Sequence, residues 1–208
     1  MRVKTFINLM LVISTFFVGI YLNPALAEAS NVLVYKYEYK EGKFDIEYPH
    51  FDGMINKVAQ EKINGVIQER VDQFIKGNQD SGFTTTAKMK YEVHLNEGNL
   101  LSFSINNYIY SGGAHGSSSL EGYTFDLSTG ERYSFEDRFN FDRASRGNIN
   151  RIIEKQIRER NIRIFEPFKG IGDKPNFYLE EGKNVVIIFQ QYEVAPYSSG
   201  ILKFKLKY

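Results

Sequence analysis

Two stretches of helical periodicity interrupt a chain that otherwise alternates with period two, and this alternation limits the fold more than any other feature. Val32 to Lys40 reads Val-Leu-Val-Tyr-Lys-Tyr-Glu-Tyr-Lys, a strand pattern rich in β-branched and aromatic residues. Glu41-Gly42 marks a turn, Lys43 to Tyr48 a second strand, and Pro49 its end. Ile55, Val58, Ile63, Val66, Val71 and Phe74 then recur close to helical spacing, with Asp52 as the expected N-cap and Gly77 as the expected stop. Lys88 to Leu95 and Leu100 to Tyr110, joined through Asn96-Glu97-Gly98-Asn99, predict a hairpin. The first half therefore reads ββαββ.

Ser111 to Ser119, Ser-Gly-Gly-Ala-His-Gly-Ser-Ser-Ser, is the strongest break in the chain and the expected boundary between halves. Beyond it, Gly122 to Leu127 predicts a strand, Ser128-Thr129-Gly130 a turn, and Arg132 to Phe135 a short extended piece. Asp142 is the expected cap of a second helix whose inner face carries Ile149, Ile152, Ile153 and Ile157. Asn176 to Glu180, Asn184 to Gln190 and Ile201 to Lys207 complete a second approximate ββαββ. Runs of strands with segregated helices predict an α+β fold. The expectation is two small subdomains, residues 31–110 and 111–208, each a largely antiparallel sheet with one long helix.

The N-terminus reads as a secretory signal. Arg2 and Lys4 precede an uncharged, mostly apolar run from Phe6 to Leu22, and Ala25-Leu26-Ala27 supplies the small residues of a cleavage site. Cleavage after Ala27 removes residues 1–27; retention would leave a membrane anchor of marginal length. The 208 residues carry 26 basic and 25 acidic side chains, three His and no Cys. A net charge of +1 argues against phosphate-driven nucleic-acid binding. The absence of cysteine excludes disulfides, thiolate metal sites and thiol nucleophiles. His50, His94 and His115 are scattered without metal-ligand spacing, so neither a metal nor a cofactor is expected. Export also disfavours cytoplasmic cofactors, and places the chain in the extracytoplasmic envelope or outside the cell.

Two segments stand out as candidate sites. Gly112-Gly113-Ala114-His115-Gly116 leads from strand pattern to strand pattern and lacks a P-loop lysine, so it reads as a tight or closely approached backbone rather than a phosphate cradle. His115 within it is a candidate contact residue, or a histidine bonding across two lobes. Gln190 to Gly200 follows a strongly apolar strand with a polar, aromatic loop. In it Pro196 fixes the backbone, and Tyr192 and Tyr197 offer flat amphipathic surfaces or plugs for the seam between halves. Asp126 and Glu193 are the carboxylates to test as a glycosidase pair, Asp126 alternatively being a turn acceptor ahead of Ser128. Arg143, Arg146, Arg151, Arg158, Arg160 and Arg163 make the second helix and its exit basic, with Glu154 and Glu159 interleaved.

Three segments together, Tyr110 to Gly116, Tyr123 to Gly130 and Phe189 to Gly200, resemble the RsiV-like and PdaC-like extracytoplasmic domain family. The resemblance spans nearly all of the chain beyond the signal. It implies two small α+β subdomains. Its sensing members, outer domains of lysozyme-sensing anti-sigma factors, bind lysozyme as a protein ligand, and other members are non-catalytic regions of peptidoglycan deacetylases. Five residues precede the apolar run, so no cytoplasmic sigma-binding domain is expected, nor a deacetylase domain after Tyr208. The resulting expectation is an exported, non-enzymatic envelope module recognising a lysozyme-like protein or peptidoglycan through Tyr110, Gly113, His115, Tyr192, Glu193, Pro196 and Tyr197. The competing expectation is a glycan-active envelope hydrolase using Asp126, Glu193 and His115.

Overall fold

The structure, a computed structural model, describes residues 32–79, 82–139 and 143–206. The signal segment and Asp142 lie outside the described residues. Strands β1 (Leu33–Glu41) and β2 (Phe44–Asp52) form an antiparallel hairpin, followed by helix α1 (Lys57–Gln79). Strands β3 (Thr86–Glu97), β4 (Leu100–Tyr110) and β5 (Ser117–Asp126) complete a five-stranded sheet in the order β1-β2-β3-β4-β5. The β2–β3 pairing is parallel, across Phe44–Ala87 to Ile46–Met89, because α1 carries the chain back to its starting side. The short helix α2 (Phe135–Phe139) and the longer α3 (Arg143–Glu159) then lead to β6 (Asn176–Glu180), β7 (Asn184–Phe189) and β8 (Leu202–Leu206), an antiparallel sheet.

The fold is α+β, but neither unit is ββαββ. The Gly122–Leu127 strand expected to open the second half is β5, an edge strand of the first sheet paired with β4 along its length from Ile109–Ser117 to Leu100–Asp126. The first unit is thus ββαβββ, and in the second the helices precede all three strands. The reason lies in the two faces of β5. Tyr123 and Phe125 join the core under α1, whereas Leu120 packs with Tyr178, Val186 and Ile188 of the second sheet. Period two separates the residues of a strand into two faces; it does not say which sheet the strand belongs to.

Layers follow from this pattern. Helix α1 buries Ala59, Ile63, Ile67, Val71 and Phe74 against one face of the first sheet. Helix α3 buries Ile149, Ile153 and Ile157 against the outer face of the second sheet, as its periodicity predicts. Between the sheets the seam is narrow and partly polar. The Ser102 hydroxyl accepts from Leu179 N at 2.8 Å, and Gly122 lies so close to β6 that a Cβ there would sit 1.9 Å from the Phe177 carbonyl oxygen.

Helix α1 corrects three details. Asn56, not Asp52, is its cap: Asn56 Oδ1 accepts from Val58 N and Ala59 N at 3.0 and 3.2 Å, while Asp52 accepts from Gly53 N before the helix begins. Ile55 therefore lies outside the helix, 103% exposed, and Val58 faces solvent in its first turn. Gly77 does not stop the helix, because the Asn78 side chain donates to the Phe74 carbonyl at 2.8 Å and carries the last turn on to Gln79.

Candidate functional site

The loop between β4 and β5 turns through Gly112 and Gly113, at φ +84° and +97°, a region closed to most side chains. Tyr110, the last residue of β4, closes this loop by donating its phenol proton to the Gly113 carbonyl at 2.9 Å. Gly116 is needed for a different reason: a Cβ there would come within 2.4 Å of the Tyr108 ring. Both expected uses of glycine, turning and close approach, occur in one loop.

The second loop, 190–200, leaves the buried strand β7. Its base is held by side-chain amides on the outer edge of β5. Gln191 Oε1 accepts from Ser118 N at 2.7 Å; Gln190 accepts from Leu120 N at 3.0 Å and donates to Leu120 O at 2.7 Å. Farther along the same edge, Asn176 accepts from Gly122 N at 2.9 Å and donates to Leu120 O at 2.6 Å. These amides occupy hydrogen-bonding positions that a sixth strand would use, which shields an otherwise open edge. Glu193 Oε2 accepts from Gln190 N at 2.6 Å, tightening the turn. Tyr192 takes a left-handed φ of +64° with its side chain exposed, and Pro196 is extended at φ −63° and ψ 160°.

Tyr197 joins the loops. Its phenol donates to the Gly116 carbonyl at 3.0 Å, its ring stacks on His115 with centroids 3.7 Å apart, and the Tyr192 ring lies 5.8 Å away on a tilt. The structure therefore gathers Tyr110, Gly113, His115, Tyr192, Glu193, Pro196 and Tyr197 onto two loops in mutual contact. Tyr197 is half-buried and takes part in the seam; His115 and Tyr192 are exposed. Gln190 and Gln191, which hold the loop in place, were not among the expected site residues. Their signal was two amides directly after an apolar strand. Phe165 was also missed: it is exposed, and its N–H donates to the Val194 carbonyl at 3.0 Å. With Phe168, Phe189, Glu193 and Val194 it lines a hollow of about 440 Å³ behind the tyrosine loop.

Asp126 and Glu193 are not brought together. The Glu193 loop docks at Ser118 and Leu120, whereas Asp126 ends the same strand. At about 3.3 Å per residue, roughly 26 Å of strand separates Ser118 from Asp126, against the ~5–9.5 Å of a glycosidase pair. Asp126 is instead a turn acceptor, taking hydrogen bonds from Ser128 N at 2.7 Å, Thr129 N at 3.1 Å, the Ser128 hydroxyl and the Tyr133 phenol. Partial burial would raise its pKa, but the bonds from Ser128, Tyr133 and Asn99 outweigh that and hold the carboxyl well below the usual range. Three of the six arginines near α3 are engaged: Arg158 pairs with Glu154, Arg160 donates to the Lys203 carbonyl, and Arg146 reaches Glu136. The three histidines lie apart, each stacked on a tyrosine: His50 on Tyr37, His94 on Tyr178 and His115 on Tyr197. Among the described residues no group of His, Asp or Glu is placed to hold a metal ion, and no helix is long and apolar enough to cross a membrane.

A five-stranded mixed sheet with a long helix, joined to a three-stranded antiparallel sheet with its own helix, is an architecture already seen in DUF3298 proteins. A DUF3298 family protein from Pseudomonas aeruginosa PAO1 shares it with a TM-score of 0.65 at 14% identity, over 88% of this chain and 93% of that one. A family member from Bacteroides fragilis NCTC 9343 gives 0.58 at 16% identity, over 85% and 90%. In sequence, residues 35–118 match the family described as Deacetylase PdaC, and residues 136–208 match the protein family of unknown function DUF3298. The chain thus carries a PdaC domain followed by a DUF3298 domain. It is similar to the anti-sigma-V factor RsiV of Bacillus subtilis (strain 168), 25% identical over 200 residues that cover 87% of this chain and 68% of RsiV.

Proposed function

We propose that the protein is an exported, non-enzymatic binding module of the bacterial cell envelope, and that its two-loop surface recognises a wall-active protein such as lysozyme. One observation carries the reading. Two of the three segments that bear the family resemblance, Tyr110 to Gly116 and Phe189 to Gly200, distant in sequence, meet through the His115–Tyr197 stack and the Tyr197–Gly116 hydrogen bond. The result is a fixed aromatic surface with Tyr192 exposed beside it. Rigid aromatic anchors give large contact area at low entropic cost, which is the composition of binding hot spots. The similarity to RsiV supports a protein ligand over a small one.

The test is equilibrium binding of the purified protein to lysozyme and, in parallel, to peptidoglycan. Saturable lysozyme binding that weakens at least about tenfold in Tyr192→Ala is the expected result. Binding to peptidoglycan alone would reassign the ligand to glycan. Binding to neither would remove the functional reading and leave the fold.

A further inference from the structure

A second cavity, of about 520 Å³, opens where β5 meets the start of β6. It shares no lining residue with the two-loop surface, and its size falls within the range of small-molecule sites. Phe135 and Phe177, in edge contact at 5.2 Å, supply apolar wall. The lining also holds two acids and two bases, and only the acids are satisfied by ion pairs. Glu121 accepts from Arg70 Nε at 3.0 and 3.1 Å and from the Tyr123 phenol at 2.6 Å. Glu136 is paired with Arg146 at 3.3 Å, which also reaches the exposed Asp173. Neither Arg70 nor Arg146 belongs to the lining; Arg132, whose charge also helps hold the Glu121 carboxyl below its usual range, and Lys174 are the lining cations with no carboxylate at salt-bridge distance among the described residues.

Arg132 is held in place without a carboxylate in contact. Its guanidinium lies 4.1 Å from the centre of the Tyr123 ring, and Nη2 donates to the Gly122 carbonyl at 2.7 Å. Among the described residues it makes no other hydrogen bond, which leaves most of its five donors unused. An arginine fixed by stacking and one backbone bond loses little freedom on meeting a planar anion.

We infer that this cavity binds a small carboxylate with a partly apolar body, Arg132 and Lys174 meeting the carboxylate and the Phe135–Phe177 wall covering the body. An acidic amino sugar and the C-terminus of a short peptide both carry that chemistry. The inference does not rest on the lysozyme reading, since it uses different residues.

The full chain is titrated with N-acetylmuramic acid, with acetyl-D-alanyl-D-alanine and with uncharged N-acetylglucosamine, following the NMR signals of Phe135 and Phe177. The expected result is saturable binding of at least one of the acids, at least about tenfold tighter than the neutral sugar. That affinity should fall about tenfold in Arg132→Gln and about threefold in Lys174→Gln, and stay unchanged in Tyr197→Ala. Which acid saturates identifies the source of the carboxylate. Should Arg132→Gln fail to fold, the exposed Lys174→Gln carries the test alone. No saturation up to about 10 mM, equal binding of the neutral sugar, or unchanged affinity in the variants that fold would overturn the assignment. Loss of lysozyme binding with carboxylate binding intact would leave it standing.

Discussion

The His115 imidazole lies on the ring of Tyr197, centroids 3.7 Å apart and planes 19° from parallel, while the Tyr197 phenol holds the carbonyl of the next residue, Gly116. A single side chain thus fastens the glycine loop to the tyrosine loop. An aromatic pair contributes about 0.5–1.5 kcal/mol beyond area burial, and one hydrogen bond about 1 kcal/mol. Tyr197→Phe should therefore lower stability by about 1 kcal/mol and Tyr197→Ala by about 2 kcal/mol in urea unfolding. A loss of about 4 kcal/mol or more from the alanine variant is the size of a core deletion, and would mark Tyr197 as a wedge between the sheets rather than part of an open surface.

At Gly122 the backbones of β5 and β6 approach closely. An added methyl would sit 1.9 Å from Phe177 O and 2.4 Å from Phe177 C, both backbone atoms that no rotamer change can move. Gly122→Ala should cost about 3 kcal/mol or more, and thermal unfolding measures it. A near-neutral result would show that the seam slides freely.

The amides of Gln190 and Gln191 hold the outer edge of β5. Removing both, as Gln190→Ala with Gln191→Ala, should speed hydrogen exchange selectively at the Ser118 and Leu120 N–H groups, with the α1 core unaffected. Unchanged exchange at those two amides would mean that the loop is held by other contacts.

His94 is a buried titratable group at the seam, stacked on Tyr178 of the second sheet. The β-bulge between Val93 and Leu95 places it, 7% exposed, flat against Tyr178 at 3.8 Å and bonded to Ser104 at 2.8 Å. Burial lowers its pKa below 6.5; Lys203 adds to the lowering, and Glu92 and Glu180 oppose it. With the folded pKa below the unfolded one, the unfolded chain takes up the proton first as pH falls. Stability is then full above pH 6.5 and declines as the pH drops from there toward the folded pKa. His50, lowered by burial as well, adds the same sign. The urea midpoint should fall between about pH 7 and pH 5, with a shallower fall in His94→Phe. An identical profile in the variant would assign the dependence to His50 or to carboxylates.

By itself the sequence determined most of the elements: the hairpin of β1 and β2, although its second strand runs through Pro49 to Asp52, the long α1, although Ile55 and Val58 are exposed, the isoleucine stripe of α3, and the glycine turn at Gly112 and Gly113. It also marked out both loops of the candidate surface, because glycine, proline and exposed aromatics act through local backbone and side-chain chemistry. Tertiary structure alone decided which elements are neighbours. It put β5 in the first sheet, since alternation fixes which face a residue shares and carries no label for the partner strand. It chose Asn56 over Asp52 as the cap, since either side chain can accept and only the entry path of the chain selects. It parted Asp126 from Glu193 along one strand, and it left Arg132 and Lys174 beside acids already claimed by other arginines. Distances between side chains far apart in the chain arise from packing, and a linear pattern does not contain them.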